Sequence, residues 1–196
     1  MNLPNKLTIG RILLVPLFVA AIIIEFPMHN FLALIFFSVA SITDMLDGKI
    51  ARKRGLVTDF GKFADPLADK ILVLAALLCF VQNGLCDCIA VIILLFREFS
   101  VTSIRLIAAS KGKVVAANMW GKVKTVTQMI AIITILVLQS VLDVNSLFGL
   151  FSADITSVFT TIFIIIGGVL IWISTIFAVI SGVIYIKQNY RFISDM

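Results

Sequence analysis

Long apolar runs separated by short polar stretches dominate the chain, and they fall near residues 9–26, 30–48, 66–82, 86–108, 116–141 and 154–186. A spanning helix needs about 20 mostly apolar residues, because the hydrocarbon layer is roughly 30 Å thick and a helix rises about 1.5 Å per residue. Each run predicts one such helix. Strands of a membrane barrel would alternate apolar and polar positions, which these runs do not. Backbone groups in lipid must be paired within the chain, so helices are what remains. The expected fold is all α, a polytopic membrane protein with about six transmembrane helices. No internal repeat, linker or low-complexity segment interrupts the pattern, so one membrane domain is expected over residues 1–196.

Composition agrees with the pattern: 61% of the 196 residues are hydrophobic, against roughly 45–50% in soluble domains. The first run follows "MNLPNKLTIGR", lacks a small-x-small cleavage site and is long enough to span, so it is expected to be a mature helix rather than a removed signal. In the last run Ser174, Ala178 and Gly182 recur every four residues, preceded by Gly167 and Gly168. This reads as a close-packing seam without chemistry of its own.

Charge then sets the orientation, because connections rich in Lys and Arg stay in the cytoplasm. Lys6 and Arg11 lie at the start, Lys49, Arg52, Lys53, Arg54 and Lys62 between the second and third runs, Lys111 and Lys113 between the fourth and fifth, and Lys187 and Arg191 at the end. All belong to one side. The opposite connections, "EFPMHN", "VQNGLCDC" and "LQSVLDVNSLFGLFSAD", hold no Lys or Arg but carry Glu25, Asp87, Asp143 and Asp154. The expected topology is N-in and C-in, in the cell membrane. The net charge of +5 therefore means orientation and attraction to anionic headgroups of membrane lipids. No basic groove interleaved with aromatics points to nucleic acid. Cys79, Cys86 and Cys88 lack a second Cys or His cluster, and His29 stands alone, which argues against zinc.

Ionisable residues also occur within the runs: Lys70, Arg97, Glu98, Arg105, Lys122 and Lys124. A charge at membrane depth costs several kcal/mol unless paired or hydrated, so these imply a polar cavity open to the cytoplasm. Lys111, Lys113, Lys187 and Arg191 are close enough to the ends to snorkel. Arg97, halfway along its run, is not.

The stretch "TDMLDGKIARKRGLVTDFGKFADPLADK" concentrates five aspartates between Thr43 and Lys70. Asp44 and Asp47 are spaced i, i+3 and Asp65 and Asp69 i, i+4, which puts each pair on one face of its helix. The two helices are consecutive, so antiparallel packing would gather four carboxylates near the inner surface. Four such charges require a counter-ion. Oxygen donors without thiolate or imidazole suit a hard divalent cation, Mg²⁺ or Mn²⁺, and two ions fit better than one because carboxylates bridge paired metals. Simple pairing with Lys49, Arg52 and Lys53 would account for one or two of the acids, not four at paired helical spacing. Gly48 follows Asp47, Gly61 precedes Asp65 by four, and Ala51 lies on nearly the face of Gly48. These small residues let a planar or phosphorylated ligand approach the backbone and suggest a nucleotide-sized slot.

The arrangement Asp44-x-x-Asp47-Gly48-x-x-Ala51-Arg52, eight residues, Gly61-x-x-x-Asp65-x-x-x-Asp69 resembles the signature of the CDP-alcohol phosphatidyltransferases, with every defining position filled. The six-helix plan resembles that family over nearly the whole chain. The resemblance implies transfer of a phosphatidyl group from a CDP-linked lipid, CDP-diacylglycerol, to an alcohol with release of CMP. It implies that Asp44, Asp47 and Asp65 hold the metals, and that Asp69 contacts one metal and accepts the proton. Gly48, Arg52 and Gly61 would border the cytidine diphosphate, with Thr58 as a further polar contact, and the resemblance extends to a homodimer. Asp59 matches no motif position and reads as solvated. Chemically the roles cohere, since metals offset the diphosphate charge and an aliphatic hydroxyl needs a base.

The motif leaves the acceptor open, and charge elsewhere bears on it. Arg97 and Arg105 are two turns apart, about 12 Å, Glu98 shares a face with Arg105, and Lys122 shares one with Thr125. A cationic pocket of this kind suits an acceptor carrying a phosphate. The stretches "REFSVTSIR", "GKVKTVTQ" and "PNKLTIGR" resemble the glycerol-phosphate branch of the family, which implies sn-glycerol 3-phosphate as acceptor. Asn5, Thr8 and Arg11 would close the lipid-nucleotide cavity from the amino-terminal end, although capping and interfacial anchoring explain them about as well. Inositol phosphate would need a similar pocket, whereas a neutral alcohol leaves the two arginines without a task. A cation-coupled transporter would spread its acids along a membrane path and show inverted repeats.

Overall fold

The computed structural model describes the backbone of residues 3–54, 59–110 and 119–190 and the side chains of residues 8–44, 68, 70–109 and 119–190. Among these residues the chain forms α1 (Leu3–Ile23), α2 (His29–Arg54), α3 (Asp59–Gln82), α4 (Cys88–Ser110), α5 (Met119–Phe148) and α6 (Ala153–Gln188), with no strand. α1 begins before residue 9 and α3 before residue 66, because helical hydrogen bonding does not stop where hydrophobicity does. Asp65 and Asp69 consequently fall on a helix that starts at Asp59. α5 and α6 are long and apolar enough to cross a membrane by themselves, and Thr8–Ile23, His29–Asp44 and Lys70–Gln82 are shorter apolar stretches.

The outer surface is lipid-like. Leu13, Phe96, Phe99, Ile165, Val169 and Ile176 are each more than half exposed in a helical bundle whose core holds Phe18, Phe37, Leu77, Leu94, Ile132 and Ile171. Apolar side chains on both the inside and the outside are stable only where the surroundings are themselves apolar, so the protein is membrane-embedded.

Helix ends are finished by local chemistry. At the end of α3, Gly84 adopts a left-handed φ of 69°, its N–H bonds the Val81 carbonyl at 3.1 Å and the Leu85 N–H bonds that of Phe80 at 2.8 Å. This double bond pattern is a Schellman cap, and Leu85 buries itself behind it. At the α5–α6 turn, Asn145 accepts from the Phe151 N–H at 2.7 Å and donates to Thr156 Oγ1 at 2.9 Å. The start of α2 is capped from a distance: Asp143 on α5 accepts from the Asn30 N–H at 2.8 Å and from its Nδ2 at 3.0 Å. That carboxylate occupies the positive end of the α2 dipole and ties α2 to α5.

Packing follows from these ties. α5 lies along α6 most extensively, α1 packs against both α2 and α3, α2 against α5, and α4 against α6. α2 and α3 are in only light contact among the described residues. Both aspartate-bearing helices pack on α1. The small-residue seam of α6 closes inward: Gly167 meets Ile135 of α5, where an added Cβ would lie 2.8 Å from Ile135 Cγ1. Gly167→Val should therefore cost about 1–3 kcal/mol by overpacking and lower the thermal midpoint in detergent, and adding Ile135→Ala should recover part of the loss. A Gly167→Val protein that melts with the parent would contradict this approach of α5 to α6.

Candidate active site

Asp44, the first aspartate of the stretch, is the member of the quartet whose side chain is described. It ends the apolar part of α2 with its carboxylate 42% exposed and pairs with Arg11, whose side chain is 1% exposed. Arg11 and Thr8 are three apart on α1, one face of that helix, and both are buried. An arginine so deep in an apolar bundle costs several kcal/mol without a counter-charge, and Asp44 supplies one. Arg11 thus meets the end of α2 that carries Asp44, with Thr8 buried one turn before it on α1.

Asp47, Gly48, Ala51 and Arg52 follow on α2, Gly61, Asp65 and Asp69 lie on α3, and Asn5 lies on α1, all with helical backbone and with side chains outside the described set. Thr58 lies outside the described residues. Among the described residues no three metal-ligating side chains stand together. The stretch from Asp44 to Asp69 holds carboxylates but no Cys or His, which fits a hard divalent cation, and the partly exposed Asp44 carboxylate is accessible to one.

A second polar group lies across α3, α4, α5 and α6. Arg97 is threaded between two glycines: a Cβ at Gly121 would sit 3.3 Å from its Nη2 and one at Gly182 3.2 Å from its Cγ. Its Nε and Nη2 donate to Ser181 Oγ at 3.1 and 2.8 Å, and its Nη1 donates to Glu98 Oε1 at 3.1 Å. The same Glu98 oxygen accepts from Lys124 Nζ, and Lys70 Nζ donates to Thr102 Oγ1. One carboxylate therefore serves Arg97 and Lys124 directly and lies near Lys70, whose own hydrogen-bond partner is a neutral hydroxyl. Among the described residues Arg97, Lys124 and Lys70 thus gather around one acid at membrane depth, an arrangement suited to an anionic ligand. Arg97 retains two of its five N–H donors for such a ligand.

Arg105 lies two turns further along α4, exposed, with its Nε donating to Tyr185 Oη at 3.3 Å and its guanidinium 5.6 Å from the Tyr185 ring centre. The structure thus sets both arginines against α6, on Ser181 and Tyr185. Lys122, by contrast, is exposed, and the lysine turned inward is Lys124, 3% exposed. The reason is register. Lys124 continues the buried face of Gln128, Ala131, Ile132 and Ile135 at steps of three and four, whereas Lys122 continues the exposed face of Val126, Ile130 and Ile133. That periodicity was the signal for Lys124. Lys70, Glu98 and Lys124 line the polar end of a cavity of about 180 Å³ between α3, α4 and α5.

Comparison with known proteins is consistent with this geometry. The family model for CDP-alcohol phosphatidyltransferases matches residues 1–180, and the chain belongs to that family. It is 40% identical to the CDP-diacylglycerol–glycerol-3-phosphate 3-phosphatidyltransferase of Bacillus subtilis (strain 168), with 97% of this chain and 96% of the relative covered. The protein of that name from Rickettsia felis is 37% identical, with 97% of each chain covered. The one from Haemophilus influenzae is 40% identical over 67% of this chain and 73% of its own.

Removing the Glu98 charge should take a shared counter-charge from Lys124 and Arg97. Glu98→Gln is expected to cost on the order of 2–3 kcal/mol, less than the ~3–5 kcal/mol of a fully buried pair, because the Glu98 side chain is 26% exposed. Lys124→Met in the same chain should return much of the lost thermal stability. An unchanged midpoint for Glu98→Gln alone would show that the cluster is already neutralised elsewhere.

Proposed function

We propose that the chain transfers a phosphatidyl group from CDP-diacylglycerol to sn-glycerol 3-phosphate, releasing CMP, as a step of phospholipid biosynthesis. Family membership and the relatives' names support the reaction. The observation that carries the acceptor is the set of Arg97, Lys124 and Lys70 around Glu98, the one acid beside them among the described residues, which suits a multiply charged anion.

Asp44, Asp47, Asp65 and Asp69 would hold divalent cations, Mg²⁺ or Mn²⁺ and two in number, whose charge offsets that of the diphosphate and the departing CMP when bound. Gly48, Ala51, Arg52, Thr58 and Gly61 border the cytidine diphosphate, and Asn5, Thr8 and Arg11 close that side, Arg11 by holding the Asp44 carboxylate. Asp69 takes the proton from the attacking hydroxyl of the acceptor, since an alcohol is a poor nucleophile until deprotonated. Arg97 and Arg105 bind the acceptor phosphate with Lys122 as a mobile point charge at the rim, and the fork of Arg97 is already oriented by Ser181. In the membrane the chain is one domain of six spans with both termini and the active site facing the cytoplasm, and it works as a homodimer.

Asp69→Asn should retain CDP-diacylglycerol binding and lose most CMP release, because the shape is kept and the base is not. Arg97→Gln should raise the KM for glycerol 3-phosphate about ten- to hundredfold, the equivalent of a charge-assisted bond of roughly 1.5–3 kcal/mol, with the KM for CDP-diacylglycerol little changed. Near-normal turnover in the first variant, or parent-like acceptor dependence in the second, would contradict those roles.

Orientation is read from the turn between α3 and α4. The Cys86 thiol is pushed up to about 11 by burial, with smaller contributions from Asp87 and Cys88, whereas Cys88 is exposed. Below that value the Cys86 thiol stays protonated, so at pH 8 only about one in a thousand is thiolate, rising about tenfold per pH unit. In intact cells a membrane-impermeant maleimide should therefore label Cys88 promptly and Cys86 slowly at pH 8. Labelling of Cys88 only after the cells are opened would reverse the proposed orientation.

A further inference from the structure

The end of the bundle remote from Asp44 finishes at two heights, and contacts between helices measure the difference. A Cβ at Gly167 of α6 would lie 2.8 Å from Ile135 Cγ1 and 3.7 Å from the Leu85 carbonyl oxygen, so α5, α6 and the α3–α4 turn are level there. Further out, Asn145 of α5 donates to Thr156 of α6 at 2.9 Å, which keeps the same antiparallel register. Asp143 of α5 holds Asn30 at the start of α2, and His29 beside it meets the Ala21 carbonyl of α1 at 3.1 Å. From Ile135 to Asp143 the helix rises about 12 Å. The α1–α2 end and the α5–α6 hairpin therefore stand that much higher than the α3–α4 turn.

The surfaces on either side of this step differ in kind. On the α3–α4 turn Gln82, Asn83 and Asp87 are exposed, and Asp87 accepts from the Ile89 N–H at 2.9 Å. The connections at this end contain no Lys or Arg, so water must hydrate that carboxylate, which is costly to place in hydrocarbon. Above the turn, by contrast, α5 and α6 expose Val137, Val141, Ile162, Ile165 and Ile166. The hydroxyls of Thr160 and Thr161 donate to the carbonyls of Thr156 and Ser157, so neither needs water as an acceptor.

A flat bilayer suits one of these surfaces at the expense of the other. With its hydrocarbon boundary at Asp143, Asp87 lies about 12 Å deep, most of the roughly 15 Å that one leaflet's chains fill. With the boundary at Leu85, a band of valines and isoleucines about 12 Å tall stands in water. Bilayers relieve such mismatch by changing thickness locally. We infer that the boundary is stepped: acyl chains cover α5 and α6 up to Asp143 and Phe159, while over the α3–α4 turn the leaflet is thinned, with lipid headgroups and water drawn down to Asn83 and Asp87. The partner of this end of the protein is thus a lipid surface of uneven thickness.

Collisions of a nitroxide side chain with a water-soluble nickel chelate and with oxygen test this, because the chelate stays in water and oxygen concentrates in hydrocarbon. The full chain with Cys79→Ala and Cys86→Ala keeps the exposed Cys88 as its one cysteine. Adding Cys88→Ser and Ile162→Cys moves the label to α6, about 7.5 Å above Gly167. In nanodiscs of dioleoyl phosphatidylglycerol and dioleoyl phosphatidylcholine, the label on Cys88 should collide severalfold more with the chelate, relative to oxygen, than the label of Ile162→Cys. The deeper position is then the wetter one. Chelate access at both positions would mean a flat boundary at Leu85, with the α5–α6 hairpin standing in water, and oxygen access at both a flat boundary at Asp143. Either result would overturn the step. A Cys88 label shielded from both reagents would overturn it too, since protein such as a second copy would then cover the turn. Should a label disturb folding, Asn83→Cys and Val141→Cys repeat the comparison on the same two surfaces.

Discussion

The carboxylate of Glu98 is the point at which α4, α5 and, through Arg97, α6 are held in relation to one another. It accepts from Lys124 and Arg97, and Arg97 in turn reaches Ser181 between Gly121 and Gly182. Hydrophobic burial contributes little between helices that could equally face lipid, so close packing and paired charge must set the arrangement. The glycines are needed because a guanidinium stem passes where a Cβ would stand. A polar pocket at membrane depth follows from the same contact, since Arg97 and Lys124 share one acid and Lys70 lies beside it.

The amino-terminal helix has the corresponding task on the other side. α1 packs on both α2 and α3, and its buried Arg11 pairs with Asp44 at the point where α2 turns from apolar to acidic. The helix that holds Asp44 through Arg11 also touches α3, which carries Asp65 and Asp69.

Much of this was legible in the residues. Apolar run length anticipated the helices, and the spacing of Asp44, Asp47, Asp65 and Asp69 carried the family resemblance. The family followed from those positions. Other parts depend on three-dimensional contact. That α1 packs on both α2 and α3 could not be read from adjacency in the chain. The inward lysine of α5 was misjudged for a narrower reason: Lys122 and Lys124 are two residues apart, so they lie on opposed faces of a helix, and the choice between them rests on the buried face of Gln128 and Ala131. Ser181 as the seat of Arg97 was hidden within a seam that spacing alone explains by packing.

Everything proposed for Arg97 and its neighbours turns on a phosphorylated alcohol as the acceptor. The most direct measurement incubates the purified parent protein with CDP-diacylglycerol, Mg²⁺ and an equimolar mixture of glycerol 3-phosphate, inositol phosphate, glycerol and inositol, and identifies the lipid product by mass. The account predicts phosphatidylglycerol phosphate as the main product, with CMP released in equal amount and none formed when the divalent cation is chelated. A main product bearing inositol phosphate or an unphosphorylated alcohol, or product formation undiminished by chelation, would contradict it.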